Sequence, residues 1–375
     1  MTASPLSLYI HIPWCLRRCG YCDFNTYVLG DLEWATGIWP YLQAIRDEIQ
    51  RASSQGDFQV TTIFFGGGTP TVLETFDFEY ILEAISEFFN VAPDAEITTE
   101  ANPETLTLQG LKELRALGIN RLSLGVQSFV PHVLNTLDRS HTPGHVRQIV
   151  TKARKAGFEN LSVDLIYGTP GESMKDWETT LNQTLDLNPD HISAYSLIVE
   201  GNTPLARRIA AGELPPTDED DLADKYIRAD EAFTQAGLPW YEVSNWAKPG
   251  HQCRHNLAYW HSQPWWGIGV GAHSYINKTR WWNLKYPPTY VEAWKTGEST
   301  IKGREDLSEE QIRMESIMLG IRLVEGFDKG LLTETELARV QSFLDSGYLI
   351  EQDTHLIPTL TGRLTADRIL RDILD

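Results

Sequence analysis

Strand-like and helix-like segments alternate along the first two hundred residues, and few folds accommodate that order. The strand-like runs are SLYIHIP (7–13), TTIFFGGGTP (61–70), AEITTEANP (95–103), RLSLGVQS (121–128), NLSVDLIYGTP (160–170) and HISAYSLIV (191–199). Each is rich in β-branched or aromatic residues and too short for a buried helix. Helical spacing fills the gaps at about 34–52, 74–90, 107–117, 143–156 and 173–187. Such alternation predicts parallel βα units joined by crossovers. A full (β/α)₈ barrel takes about 250 residues, so six units in roughly 200 residues predict an α/β fold built on a partial (β/α)₆ barrel. Barrels keep their chemistry at the C-terminal ends of the strands, and polar residues gather there: Gly66–Thr69, Glu100, Gln127 and Asp164.

The texture changes near residue 215. A linker and an amphipathic helix capped by Gly237 lead into the aromatic-dense YEVSNWAKPGHQCRHNLAYWHSQPWWGIGVGAHSY. The last seventy or so residues read as a mainly helical, winged-helix-like unit with one hairpin. The expected division is therefore 1–215 (partial barrel), 216–300 (helix and aromatic segment closing the barrel) and 301–375 (C-terminal helical unit).

Charge narrows the partners. With 32 basic and 51 acidic side chains the net charge is −19, so general attraction to nucleic acid or an anionic membrane is not expected. No signal peptide and no run of about 18 apolar residues is visible, which predicts a cytoplasmic protein without a membrane span. Clustered cysteines in such a chain read as metal or redox ligands rather than disulfides.

Three of the four cysteines, Cys15, Cys19 and Cys22, lie within PWCLRRCGYCDFN. Structural zinc generally takes four ligands, often as two distant pairs, so Cys253 or a histidine would have to complete a zinc site. The alternative is a [4Fe–4S] cluster held by three thiolates, its fourth iron open to an outside ligand. CLRRCGYC, following YIHIP and preceding GGGTPT, resembles the signature of the radical S-adenosylmethionine (SAM) enzymes. That resemblance implies a [4Fe–4S] cluster on Cys15, Cys19 and Cys22, with SAM chelating the open iron and being cleaved to a 5′-deoxyadenosyl radical. Gly67, Gly68 and Thr69 match the segment contacting the SAM amino group and carboxylate.

The similarity extends to the oxygen-independent coproporphyrinogen III oxidase group. Tyr9, Tyr21, Glu100, Gln127, Arg139 and Asp164 match its SAM-contacting positions. Arg139 suits a carboxylate, Glu100 a cationic amine, Gln127 and Asp164 ribose hydroxyls, and the Tyr21 ring an adenine. Two departures bear on oxidase activity. Phe24 stands where the oxidase has a further cysteine, and the chain begins fourteen residues before Cys15, where the oxidase has an N-terminal arm. CRHNLAYW (253–260), with the loop ending CDFN, is instead similar to the haem-chaperone branch of the group.

This branch implies haem bound and passed to acceptor proteins. His255 and Cys253 are candidate axial donors, with His11 and His273 as rivals and Tyr259, Trp260, Trp265 and Trp266 as apolar walls; His251 and His261 read as loop residues. Cleavage of SAM would also require a low-potential electron donor such as a flavodoxin or ferredoxin. The alternatives are an oxidase that decarboxylates coproporphyrinogen III and, less favoured, a zinc-bound interaction protein.

Overall fold

A computed structural model describes residues 3–30 and 37–375. Six strands form parallel neighbours in chain order: β1 (Ser4–Ile12), β2 (Phe58–Gly67), β3 (Asn90–Ala101), β4 (Arg121–Gln127), β5 (Asn160–Tyr167) and β6 (His191–Ser196). The connecting helices include α1 (Trp39–Ser53), α2 (Thr75–Phe88), α3 (Leu108–Ala116), α4 (Pro143–Lys155) and α5 (Met174–Leu185). Residues 34–36, expected to begin the first helix, lie outside the described residues. Two strands, β2 and β3, stop short of their expected ends, and Pro70 and Pro103 open 3₁₀ turns just beyond them, proline being a residue that fixes φ and donates no ladder hydrogen bond.

The pleat sorts these strands into two faces, since alternate side chains point opposite ways. On β1, Leu6, Leu8, Ile10 and Ile12 join the main core with Tyr41, Leu42 and Ile45 of α1. Leu122, Leu124 and Val126 of β4 do the same, as do Leu161, Val163 and Leu165 of β5. The intervening residues, among them Tyr9, Glu100, Ser123, Gln127, Asp164 and Ser193, line the cavity inside the curved sheet. Apolar outside and polar inside is the reverse of a surface strand, and it follows from helices covering the outer face.

The sheet continues beyond the six units. The added strands are β7 (Trp240–Glu242), β8 (Asn245–Ala247), β9 (Trp265–Ile268), β10 (His273–Ile276), β11 (Thr279–Asn283) and β12 (Ile301–Asp306). The order is β12-β11-β10-β9-β1-β2-β3-β4-β5-β6-β8-β7, with β9 parallel to β1. The two ends differ, so the barrel is open. The sequence reading took PWWGIGV as part of a closing aromatic segment; it supplies a seventh parallel strand. Its apolar run carries no helical spacing of its own to mark a crossover.

Each edge is handled differently. Strand β12, IKGRED, is exposed along almost all its length and mostly charged. Strand β7 is met by the C-terminal unit, where Glu242 bridges Leu323 and the Val324 N–H donates to the Tyr241 carbonyl at 3.0 Å. That unit has its own small core around Ile317, Phe343, Leu356 and Ile369. It carries a three-stranded sheet (Phe327–Asp328, His355–Pro358, Leu349–Gln352) instead of a lone hairpin. Its Arg363 grips Asp230 with two hydrogen bonds of 2.9 Å and lies over the Trp240 ring.

Trp246 on β8 is fully buried between Tyr226 and Phe233, and its Nε1–H donates to Asp230 at 2.9 Å. Trp246→Ala is expected to cost about 3–5 kcal/mol through the cavity left behind, read as a lowered urea midpoint with an unchanged slope.

Candidate functional site

The cysteines sit in a loop that leaves β1 and returns beside it. A two-residue parallel pair, Trp14–Cys15 with Tyr27–Val28, closes the loop at its base. The Tyr27 N–H donates to the Pro13 carbonyl at 2.7 Å and the Leu29 N–H to that of Cys15 at 2.9 Å. Asn25 anchors the far side through its Nδ2, 2.9 Å from the Lys285 carbonyl. Arg18 reaches back to the carbonyls of Cys22 and Phe24.

The glycine-rich end of β2 is locked to this loop. The N–H groups of Gly68 and Thr69 donate to the Ile12 and Trp14 carbonyls, both at 2.8 Å, and that of Gly67 to Glu100 Oε2 at 3.1 Å. Gly67 has φ +110°, and a Cβ there would strike the His11 ring. A Cβ on Gly68 would lie 2.5 Å from the Trp14 carbonyl oxygen. With their N–H groups donated inside the protein, these residues meet a ligand as acceptors rather than as an anion-binding nest.

Cys15, Cys19 and Cys22, the nine residues matched to SAM contacts and His255 line one cavity of about 620 Å³, within the range of small-molecule and cofactor sites. Gln127 enters it from the left-handed region, at φ 64°, where the β4–β5 register shifts. A side-chain-bearing residue there costs roughly 1–2 kcal/mol. Asp164 accepts hydrogen bonds from Ser123 at 2.9 and 3.0 Å. Tyr21 lines the cavity and also packs against the small apolar cluster around Val130 and Ile166.

Two buried carboxyl groups, Glu100 and Asp164, stand in the cavity's wall. Burial, then the neighbouring Asp164, pushes the Glu100 carboxyl up to about 8, against the Gly67 N–H that favours its charge. Burial also raises Asp164. A cation bound between them would restore both carboxylates.

The sulfur atoms are held as hydrogen-bond acceptors. Thr69 Oγ1–H donates to Cys15 Sγ at 3.7 Å and Arg139 Nη1–H to Cys19 Sγ at 3.4 Å. Arg139 Nη2 donates to Asn102 Oδ1 at 2.6 Å and to the Gly125 carbonyl at 2.7 Å. Of its five N–H donors, three are thus used and the Nε–H is buried without a partner. Donors aimed at sulfur suit thiolates, the form that binds metal. Among the described residues no three His, Cys, Asp or Glu side chains converge on a single ion-sized point; a cluster taking one thiolate per iron does not require them to. The donor set therefore fits an iron–sulfur cluster.

The four haem-donor candidates are placed as follows. His255 is fully buried, with Nδ1 2.7 Å from Thr62 Oγ1 and Nε2 2.8 Å from the Tyr259 hydroxyl. It is the second residue of the helix Arg254–Trp260, whose first N–H groups, of Arg254 and His255, donate to Glu96, a carboxylate favoured at that end of a helix. Burial pulls the His255 ring down to about 3, so it is neutral. The Cys253 thiol donates to Glu96 at 3.6 Å, and burial raises it to about 12. His11 has both ring nitrogens engaged, with the Tyr9 hydroxyl and the Asn25 carbonyl, each at 3.0 Å. His273 is exposed, stacks on Trp282, and stands outside the cavity lining. Of the aromatic walls expected, Tyr259 lines the cavity, while Trp265 and Trp266 pack on Tyr275 and Trp281.

Two residues escaped the sequence reading. Asn25 belongs to the quoted CDFN, but nothing in the motif marks it as an anchor. Asn102 follows Glu100 by two positions, the spacing that puts it on the same side of an extended chain, and that was the available signal.

The Radical SAM superfamily model matches residues 9–184. The chain is 43% identical over 377 residues to heme chaperone HemW of Mycobacterium tuberculosis, covering 100% of this chain and 96% of the relative. It is 33% identical to heme chaperone HemW of Escherichia coli, with 98% and 97% covered. Among solved structures, coproporphyrinogen III oxidase of Escherichia coli, described as a radical SAM enzyme, superposes with a TM-score of 0.86 at 24% identity, over 99% of this chain and 90% of that one. At that identity the likeness speaks for the fold alone.

Two outcomes are expected. Gly68→Ala should displace the loop from the Trp14 carbonyl and lower the iron retained after anaerobic reconstitution. For Glu100, the unfolded chain releases the proton near 4.5 and the folded chain near 8, so folding takes up a proton between those values and stability falls as pH rises through them. The melting temperature of the empty Glu100→Gln variant should therefore exceed that of the parent by more at pH 8 than at pH 5.

Proposed function

Because the chain belongs to the HemW family of the radical SAM superfamily, we propose that it binds a [4Fe–4S] cluster, SAM and haem, and passes haem to acceptor proteins in the cytoplasm. The observation that carries the cofactor reading is the cysteine loop itself. Its thiols lie at the wall of the cavity and two of them receive N–H or O–H donors. When bound, the cluster would supply an electron to SAM, drawn from a low-potential donor of the flavodoxin or ferredoxin kind.

This chain's own residues would divide the binding work. Cys15, Cys19 and Cys22 would ligate iron. Glu100 would hold the cationic amine, with Gly67, Gly68 and Thr69 lining the same cavity. Arg139 has one Nη1 proton left for a carboxylate, so its grip would be a single charge-assisted bond rather than a fork. Asp164 and Gln127 would accept from ribose hydroxyls, Tyr21 would lie against adenine, and Tyr9 would close the inner wall.

Haem asks more of the site. His255 is neutral, as an axial donor must be, but its Nε2 is engaged by Tyr259. If His255 is the ligand, Tyr259→Phe removes a competitor worth about 1 kcal/mol and should tighten haem binding roughly fivefold. His255→Ala should abolish the histidine-ligated spectrum. Titration of the cluster-loaded protein with haem checks both, and unchanged spectra in both variants would remove His255 from the account. Catalytic release of vinyl-bearing product from coproporphyrinogen III under anaerobic conditions would overturn the chaperone reading in favour of an oxidase.

A further inference from the structure

We infer that Asn102 is a positioning residue that fixes the direction of a hydrogen-bond chain joining two cluster ligands, and thereby raises the cluster's reduction potential. The chain runs Cys15–Thr69–Asn102–Arg139–Cys19. Its links are Thr69 Oγ1 to Cys15 Sγ at 3.7 Å, Asn102 Nδ2 to Thr69 Oγ1 at 2.8 Å, Arg139 Nη2 to Asn102 Oδ1 at 2.6 Å, and Arg139 Nη1 to Cys19 Sγ at 3.4 Å.

Direction follows from one fact of chemistry: a guanidinium can only donate. The Asn102 atom facing Arg139 must therefore be the amide oxygen, which leaves the amide nitrogen facing Thr69. The Thr69 oxygen then accepts from Asn102, and its own proton is turned toward Cys15. Both sulfurs end as acceptors, at opposite ends of a chain oriented by a single charge. The amide of Asn102 is the only link that accepts on one side and donates on the other by virtue of two different atoms, so it alone transmits the orientation without a rotatable proton.

Hydrogen bonds to ligand sulfur help set the potential of an iron–sulfur centre. The reduced form carries more negative charge on sulfur, so donors stabilise it more than the oxidised form. Asn102→Asp keeps the shape but replaces the donor with an acceptor. The Thr69 hydroxyl then turns to the carboxylate, Cys15 loses its donor, and a negative charge is added near the cluster.

The test is the midpoint potential of the reconstituted cluster, followed by the reduced-state electron paramagnetic resonance signal. Thr69→Val should shift it to more negative values, while Thr69→Ser, which keeps the hydroxyl, should leave it near that of the parent. Asn102→Asp should also shift it negative, and by less in the Thr69→Val background than alone, because there the Cys15 arm is already gone. Equal Asn102→Asp shifts in both backgrounds would mean that charge alone acts, and would overturn the inference. If Asn102→Asp fails to retain iron, Thr69→Val decides, and a potential unchanged from the parent overturns it. The inference rests on the proposed cluster: a parent chain that takes up no iron defeats both readings, whereas an iron-loaded chain with unshifted variants defeats only this one.

Discussion

The two-residue repeat of the extended chain is the constraint from which the rest of the molecule follows. In β1, β4 and β5 it sends Leu, Ile and Val to the helices and Tyr, Ser, Gln and Asp to the interior. A slip of one residue in any of these strands would exchange the two sets. In β5 it would turn Asp164 toward the covering helices and Leu161 and Leu165 toward the cavity, which is why register and site are specified together. The cavity is thus a product of the same pattern that builds the core.

Much of this was legible before any coordinates. Six strand-like runs and the polar residues at their ends anticipated that Glu100, Gln127 and Asp164 share one cavity, because periodicity and strand-end position are local properties of sequence. The continuation of the sheet through β9 was not legible. Trp265–Ile268 is four residues long, and its pairing with Ser7–Ile10 spans more than two hundred and fifty positions. Nor was the engagement of His255, since Thr62 lies on β2 while Tyr259 is one helical turn away. Only the second partner has a spacing that a reader could notice.

The cysteine loop shows how a short motif depends on distant support. Its three thiols are near one another in sequence, yet the atoms that orient two of them come from the turn after β2, from the end of β3 and from Arg139 beyond β4. Asn102 owes its place to Glu100 in the ordinary way of extended chain, two residues apart and on one side. A cluster bound there would be gripped by the loop and governed by the barrel.

The contrast between the sheet's two margins has a consequence for crowded conditions. A long open sheet is a template on which another chain can add a strand. Here Leu323 occupies one margin, and the run IKGRED makes the other costly to dry out and pair. In the haem-carrier role proposed above, the chain would offer an acceptor protein the rim of its cavity while denying it the sheet backbone, so that handing on a cargo does not become polymerisation.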